Sequence, residues 1–257
     1  MTPGRPLSSY VLDIPAAAAT DQPGKGPDMA ITQTILSRAA GVAAAGAGLI
    51  FIGVQINHPH LDVTSITTTE MAVRNSLKVL MAALALVGIT GMYLRQVKQI
   101  GVLGLMGYLL LGTGYLLIMS TAFVAATVLP SIAETDPGYV NDVIAASTGG
   151  TATGDIGLLR NAIQVQDITY LAGGLVFGIA LYRARVLARW AAALLAVGGV
   201  VTVALSVMPD AFYRLLAFPN GIAMIALGYS LWSTTRRDTT TQPAAVHSPR
   251  ATTAGAQ

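Results

Sequence analysis

Six long runs of apolar residues dominate the chain, at about residues 39–56, 77–94, 101–129, 168–182, 190–208 and 215–232. A bilayer core is ~30 Å thick and a helix rises ~1.5 Å per residue, so about 20 mostly apolar residues suffice to cross it. The runs are continuous and rich in Ala, Leu and Gly. Barrel strands would alternate with a period of two. The expected fold is therefore all-α, a polytopic transmembrane six-helix bundle. Composition agrees: 53% of the 257 residues are hydrophobic and 11% are charged, against about 25% charged in soluble domains. Mean hydropathy is +0.62. These values exclude a disordered chain, a collagen and an ordinary soluble enzyme. Cysteine is absent, which removes disulfides, thiolate metal sites and cysteine nucleophiles.

Basic residues resist translocation and so mark the cytoplasmic side. With the N-terminus inside, eleven basic residues lie inside, including Arg95, Lys98, Arg183, Arg185 and Arg189 in short turns. Only Arg74, Lys78, Arg160 and Arg214 lie outside. Acids show the opposite bias. Both termini are thus expected in the cytoplasm, in a multi-pass protein of the cell membrane. Residues 1–34 and 236–257 read as disordered tails flanking a membrane domain at 35–235. No cleaved signal precedes the first run, and Met29 offers an alternative start.

Small residues let helix backbones approach in lipid. Gly174 and Gly178 form GxxxG, Ala40, Ala44 and Gly48 a stripe, and Gly101, Gly104 and Gly107 one side of the third run. Such stripes serve either a homo-oligomer or packing within one bundle; the second is the commoner use in polytopic proteins.

Ionisable residues are read as absent from the apolar cores, which argues against a proton-driven transporter. Polar groups collect at the outer helix ends instead. Asn57, His58, Arg160, Gln164 and Asp167 are candidate ligand-binding residues there; Arg160, Gln164 and Asp167 would share a face of a helix starting near Asp155. Asn220 joins them if Phe218-Pro219-Asn220-Gly221 breaks the last span and exposes carbonyls. Alternatively, that span starts at Pro219, after an interfacial turn at 210–217. His58, His60 and Asp62 would point the same way in an extended segment and could hold zinc, although no fixed-spacing zinc signature accompanies them. Otherwise they form a solvated loop. Glu70 reads either as a general acid or as the N3 residue of a capping box begun by Thr67, paired with Arg74 at i, i+4. Asp167 is the second candidate proton donor.

The outer segment 131–166 is long for a connection. Asp136-Pro137-Gly138 signals a turn, 140–146 a short amphipathic helix and 147–154 a flexible Gly/Thr linker. No P-loop, GxGxxG, GxSxG or calcium loop is present, so no cofactor is expected. The net charge of +3 is spread over the cytoplasmic loops and reads as topology rather than as nucleic-acid binding.

The runs LYRARVLARWAAALLAVGG at 181–199 and FPNGIAMIALGYSLW at 218–232 resemble small six-span bacterial integral membrane proteins of unknown function. The resemblance implies the six-span architecture and carries no catalytic residue. The leading expectation is a non-catalytic binding or accessory protein with an outward polar site for a hydrophobic or amphiphilic small molecule. An intramembrane enzyme acting on a lipid or isoprenoid, with Glu70 or Asp167 as acid, is one alternative. The other is a small uncoupled carrier of an apolar or neutral solute, with a mid-membrane cavity lined by Thr113, Ser120, Thr202 or Asn220.

Overall fold

The structure, a computed structural model, describes residues 32–205 and 217–240. Most of the two expected tails, the Met29 start and the 210–217 turn, but for Ala217, fall outside those residues; of the expected tails, 33–34 and 236–240 are instead helical. Among the described residues there are helices and turns and no strands. The helices are α1 (Gln33–Gly53), α2 (Val63–Ile66), α3 (Thr69–Arg95), α4 (Val97–Thr127), α5 (Leu129–Ile132), α6 (Pro137–Ser147), α7 (Leu158–Ala184), α8 (Arg189–Leu205) and α9 (Ala217–Thr240). Four of them, α1, α3, α4 and α7, are long and apolar enough to cross a membrane.

The six long helices form a ring in which each packs on its chain neighbours, and α9 closes the ring against α1. Helices α1, α3, α4, α7, α8 and α9 share one apolar core that includes Ala44, Ala85, Leu111, Phe177, Ala192 and Leu227. Large apolar side chains also cover the outside: Val42, Leu49, Leu80, Val87, Leu109, Leu116 and Phe123 are all exposed. Water would not tolerate so wide an apolar face on a monomer.

Glycine sets the helix spacing. A Cβ on Gly41 would lie 2.7 Å from the Gly228 carbonyl oxygen, and one on Gly221 2.9 Å from that of Gly48. Each helix of the α1–α9 pair thus presents two glycines seven residues apart to the other. Ala40 and Ala44 meet Gly91 and Gly88 of α3, Gly178 meets Ala192 and Ala196 of α8, and Gly114 meets the Tyr170 backbone. The small-residue stripes are therefore occupied by the chain's own helices. The expected glycine face of α4 is not formed. Gly101 has φ +54° and breaks the helix, Gly104 faces its own Ile100 side chain, and only Gly107 abuts a neighbour, Phe177.

Several long helices extend further than their apolar runs, two of them by eight residues or more at the start. Helix α7 begins ten residues before the run does, at Leu158, and α3 eight residues before, at Thr69. Lys78 and Asp167 consequently lie inside long helices, contrary to the expected ion-free cores. Each is about 25 Å along its helix from the opposite end, at ~1.5 Å per residue. That depth is the rim of a hydrocarbon layer, not its middle.

Candidate functional site

At the end of the bundle where α1 runs into α2 and α4 into α5, short elements form a cap. Ile66, Met71, Leu129, Ala133, Val140, Val143 and Ile156 make a second apolar cluster there. Helix α6 starts where Asp136 accepts a hydrogen bond from the Tyr139 N–H at 3.0 Å, with Pro137 in its first turn. Its amphipathic character is the expected one. The segment after it is not a loose linker. The Asp142 carboxylate accepts from the Thr153 N–H (2.7 Å), the Thr153 hydroxyl (3.1 Å) and the Gly154 N–H (3.1 Å). These backbone donors hold the Asp142 carboxyl below its ordinary range.

The candidate residues are distributed around this cap, most with a structural duty. Asn57 has φ +51°, a left-handed conformation that asparagine tolerates; it turns the chain after α1. Arg74 gathers the end of that helix. Its guanidinium donates to the carbonyls of Val54 (2.9 Å), Ile56 (3.1 Å) and Asn57 (3.1 Å), and to Glu70 Oε1 at 2.8 and 2.9 Å. The expected Glu70–Arg74 pair thus forms, but the expected capping box does not. Thr68, not Thr67, caps α3 by accepting from the Met71 N–H. The capping box instead belongs to α2, between Asp62 and Ser65. Its hydrogen bonds draw the Asp62 carboxyl below its usual value.

His58, His60 and Asp62 do not share a face. His58 is 9% exposed, with Nδ1 2.8 Å from the Pro59 carbonyl oxygen, whereas His60 and Asp62 face solvent. Among the described residues no three His, Asp or Glu side chains are grouped to hold a metal ion. Arg160 donates to the carbonyls of Gly154 (3.0 Å) and Ala152 (3.4 Å) and so anchors the segment before α7. Gln164 and Asp167 are exposed on α7. Asn220 lies on α9, where the next residue, Gly221, meets Ile52 of α1. Helix α9 runs unbroken from Ala217, with Pro219 in its first described turn, and the Asn220 amide packs on Gly198 of α8.

What the cap does create is a cavity of about 200 Å³ between α3, α4 and α7 on one side and α2 and α6 on the other. Its apolar wall includes Ile66, Ile118, Ala122, Ala125, Val143 and Ile163. Its polar side chains are Asn75, Lys78, Thr121, Ser147, Thr148 and Gln166. Thr121 donates to Gln166 Oε1 at 2.7 Å, and the Ser147 and Thr148 hydroxyls bond back to carbonyls of α6. Lys78 donates to Asn75 Oδ1 at 3.3 Å, which orients that amide. Asn75 is 3% exposed, and its Nδ2 has no hydrogen-bond partner. A buried donor left unpaired costs roughly 1–3 kcal/mol. Glu70 and Asp167 do not border the cavity.

None of the expected site residues lines this cavity. Asn75, Lys78, Thr121 and Gln166 come together only through helix packing. The available signal was two polar residues, Asn75 and Lys78, three apart on α3 and thus on one face. Comparison of the chain with protein-family models, with curated proteins and with solved structures returns no match. The expected resemblance to six-span bacterial proteins is neither supported nor opposed by them.

Proposed function

We propose that the chain is an integral protein of the cell membrane with six spans and both termini in the cytoplasm, and that it is a non-catalytic binding or accessory protein. Its outward-facing site is the cavity beneath the cap. The six-helix ring, the apolar exterior and the basic turns opposite the cap support this topology. The observation that carries the binding reading is the cavity itself: a largely apolar lining with one buried, unpaired amide donor among its polar groups. That pattern of few polar groups among apolar ones is how small-molecule sites are built.

Two features weigh against the alternatives. Acid catalysis in a membrane enzyme wants a desolvated carboxyl facing the substrate; the Glu70 side chain is 57% exposed and committed to Arg74, and neither Glu70 nor Asp167 borders the cavity. A carrier needs a polar path at mid-depth, yet Thr113 and Ser120 lie on the exposed surface of α4 and Asn220 is packed on Gly198.

The test is equilibrium binding to the purified chain in nanodiscs. The panel comprises hexanol, hexanamide and hexanoate, with empty nanodiscs as background. Ala125→Phe fills the cavity from its apolar wall. Binding above background that Ala125→Phe abolishes, with helical content retained, is the expected result. Background-level binding of every probe, or binding indifferent to Ala125→Phe, contradicts the proposal.

A further inference from the structure

We propose that the turn between α7 and α8 is a docking site for the headgroup of an anionic phospholipid. It lies at the end of the ring opposite the cap. The inference stands apart from the cavity, and it holds whichever side of the membrane the turn faces.

Charge is the first observation. Arg183, Arg185 and Arg189 fall within seven residues, and all three are exposed. No Asp or Glu occurs between Asp167 and Asp210. The arginines of the cap are committed to the fold: Arg74 and Arg160 together donate to five carbonyls. Those of the turn are not. Among the described residues Arg183 and Arg185 make no hydrogen bond or ion pair. Arg189 places its guanidinium over the Tyr182 ring, 4.2 Å from the centroid. That contact holds the Arg189 head beside the end of α7, where Arg183 follows Tyr182. Arg185 ends α7 with φ +58°, a left-handed position that glycine ordinarily fills. The chain thus gathers three like charges on a strained turn. A phosphodiester relieves their repulsion and matches the guanidinium fork.

The second observation is what stands beside the charges. The Ala188 N–H donates to Ser230 Oγ at 3.0 Å, which sets the start of α8 level with Tyr229 on α9. Trp190 and Tyr229 are both exposed. Such amphipathic rings sit at the headgroup level of a bilayer, and basic side chains at that level are attracted to anionic lipid. Val197, seven residues after Trp190 on α8, is exposed as well and continues the same face away from the turn. Cations followed by an apolar track match a phosphate followed by an acyl chain. Free phosphate would leave the apolar track unused. A choline headgroup would bring its own cation towards the arginines.

The experiment reads Trp190 fluorescence in the full chain, reconstituted with the same lipids in both leaflets. The chain has two tryptophans, so Trp232→Phe leaves Trp190 as the reporter. The matrix is equal parts phosphatidylglycerol and phosphatidylcholine, and one or the other carries brominated acyl chains that quench the indole. Quenching is expected to show phosphatidylglycerol favoured at Trp190 at least threefold. Joint Arg183→Gln, Arg185→Gln and Arg189→Gln exchange is expected to bring the ratio to one. Arg185→Gln alone is expected to lower it by at least a third, and serves if the triple variant does not fold. Lys98→Gln removes a charge at the same end but outside the turn, and is expected to leave the ratio unchanged. A ratio of one in the parent chain, or a preference that the triple variant keeps, overturns the proposal. So does a loss as large in Lys98→Gln as in Arg185→Gln, which assigns the effect to the general field of that end. Abolition of the preference by millimolar inorganic phosphate at constant ionic strength overturns the lipid in favour of a free anion.

Discussion

Replacing Arg74 by Met should loosen the end of α1 far more than the loss of an ion pair would. In the structure the guanidinium makes three hydrogen bonds to carbonyls at the end of that helix and two to Glu70, and the Arg74 side chain is 16% exposed. Hydrogen bonds to a charged group contribute roughly 1.5–3 kcal/mol each. Bonds sharing one group are not additive, so the three carbonyl contacts are taken together as about 3 kcal/mol. A cation at a helix C-terminus adds roughly 0.3–1 kcal/mol. The Glu70 partner is largely exposed, and such pairs contribute only about 0.2–1 kcal/mol. Arg74→Met is therefore expected to cost about 3–4 kcal/mol and Glu70→Gln less than about 1 kcal/mol. Chemical unfolding in a mild detergent, followed by far-UV circular dichroism, measures both. Hydrogen exchange should localise the Arg74→Met effect to residues 50–57. Equal costs for the two variants, or a neutral Arg74→Met, would refute the carbonyl-docking account.

The glycine contacts predict opposite signs at two helix positions. Gly228→Val drives a side chain into the Gly41 backbone, with Ala45 N 2.8 Å from the Cβ position, and should destabilise by several kcal/mol, as overpacking does. Gly112→Ala meets only Leu86 Cδ2 at the edge of contact, at 4.0 Å, and should be neutral or stabilising by up to about 1 kcal/mol; paired melting curves decide. For Asp142, whose carboxyl is depressed by the Thr153 and Gly154 N–H groups, the folded state favours the charged form. Its contribution is complete above the ordinary value of 3.8 and is lost as pH falls through the lower folded value. Exchange protection of residues 148–157, corrected for intrinsic rates, should stay level from neutral pH to about pH 5 and fall below 3.8. Asp142→Asn should show the unprotected behaviour already at neutral pH, because an amide donor then faces the Gly154 N–H.

The helical class was legible because apolar runs of this length admit few other folds. Local pairs were legible too, as in Glu70–Arg74; the short helix expected at 140–146 forms, but it begins three residues earlier, at Pro137, where a turn was expected. What the pattern hid was contact at a distance. Arg74 looked like half of a surface pair, but its main partners are carbonyls seventeen to twenty residues earlier. The segment from Arg160 to Gln166 reads both as the end of the outer connection, because hydropathy falls there, and as part of a helix starting near Asp155. It is helical because Ile163 packs inward and Gln166 meets Thr121. Thr67-x-x-Glu70 and Asp62-x-x-Ser65 are overlapping cap signals; Asp62 accepts at 2.7 Å from Ser65 N, and α3 then begins one residue later than its own signal predicts. The cavity was invisible for the same reason, since Asn75, Thr121, Val143 and Gln166 belong to four different helices.

The central claim is that the cap and its cavity face outward from a membrane-embedded ring whose basic turns face the cytoplasm. The native chain has no cysteine, so single cysteines report without background. Glu134→Cys on the cap and Lys98→Cys at the start of α4 are both at exposed positions. With a membrane-impermeant maleimide on intact cells, the account predicts labelling at 134 and none at 98 until the cells are lysed. Labelling at 98 from outside, with 134 protected, would contradict it.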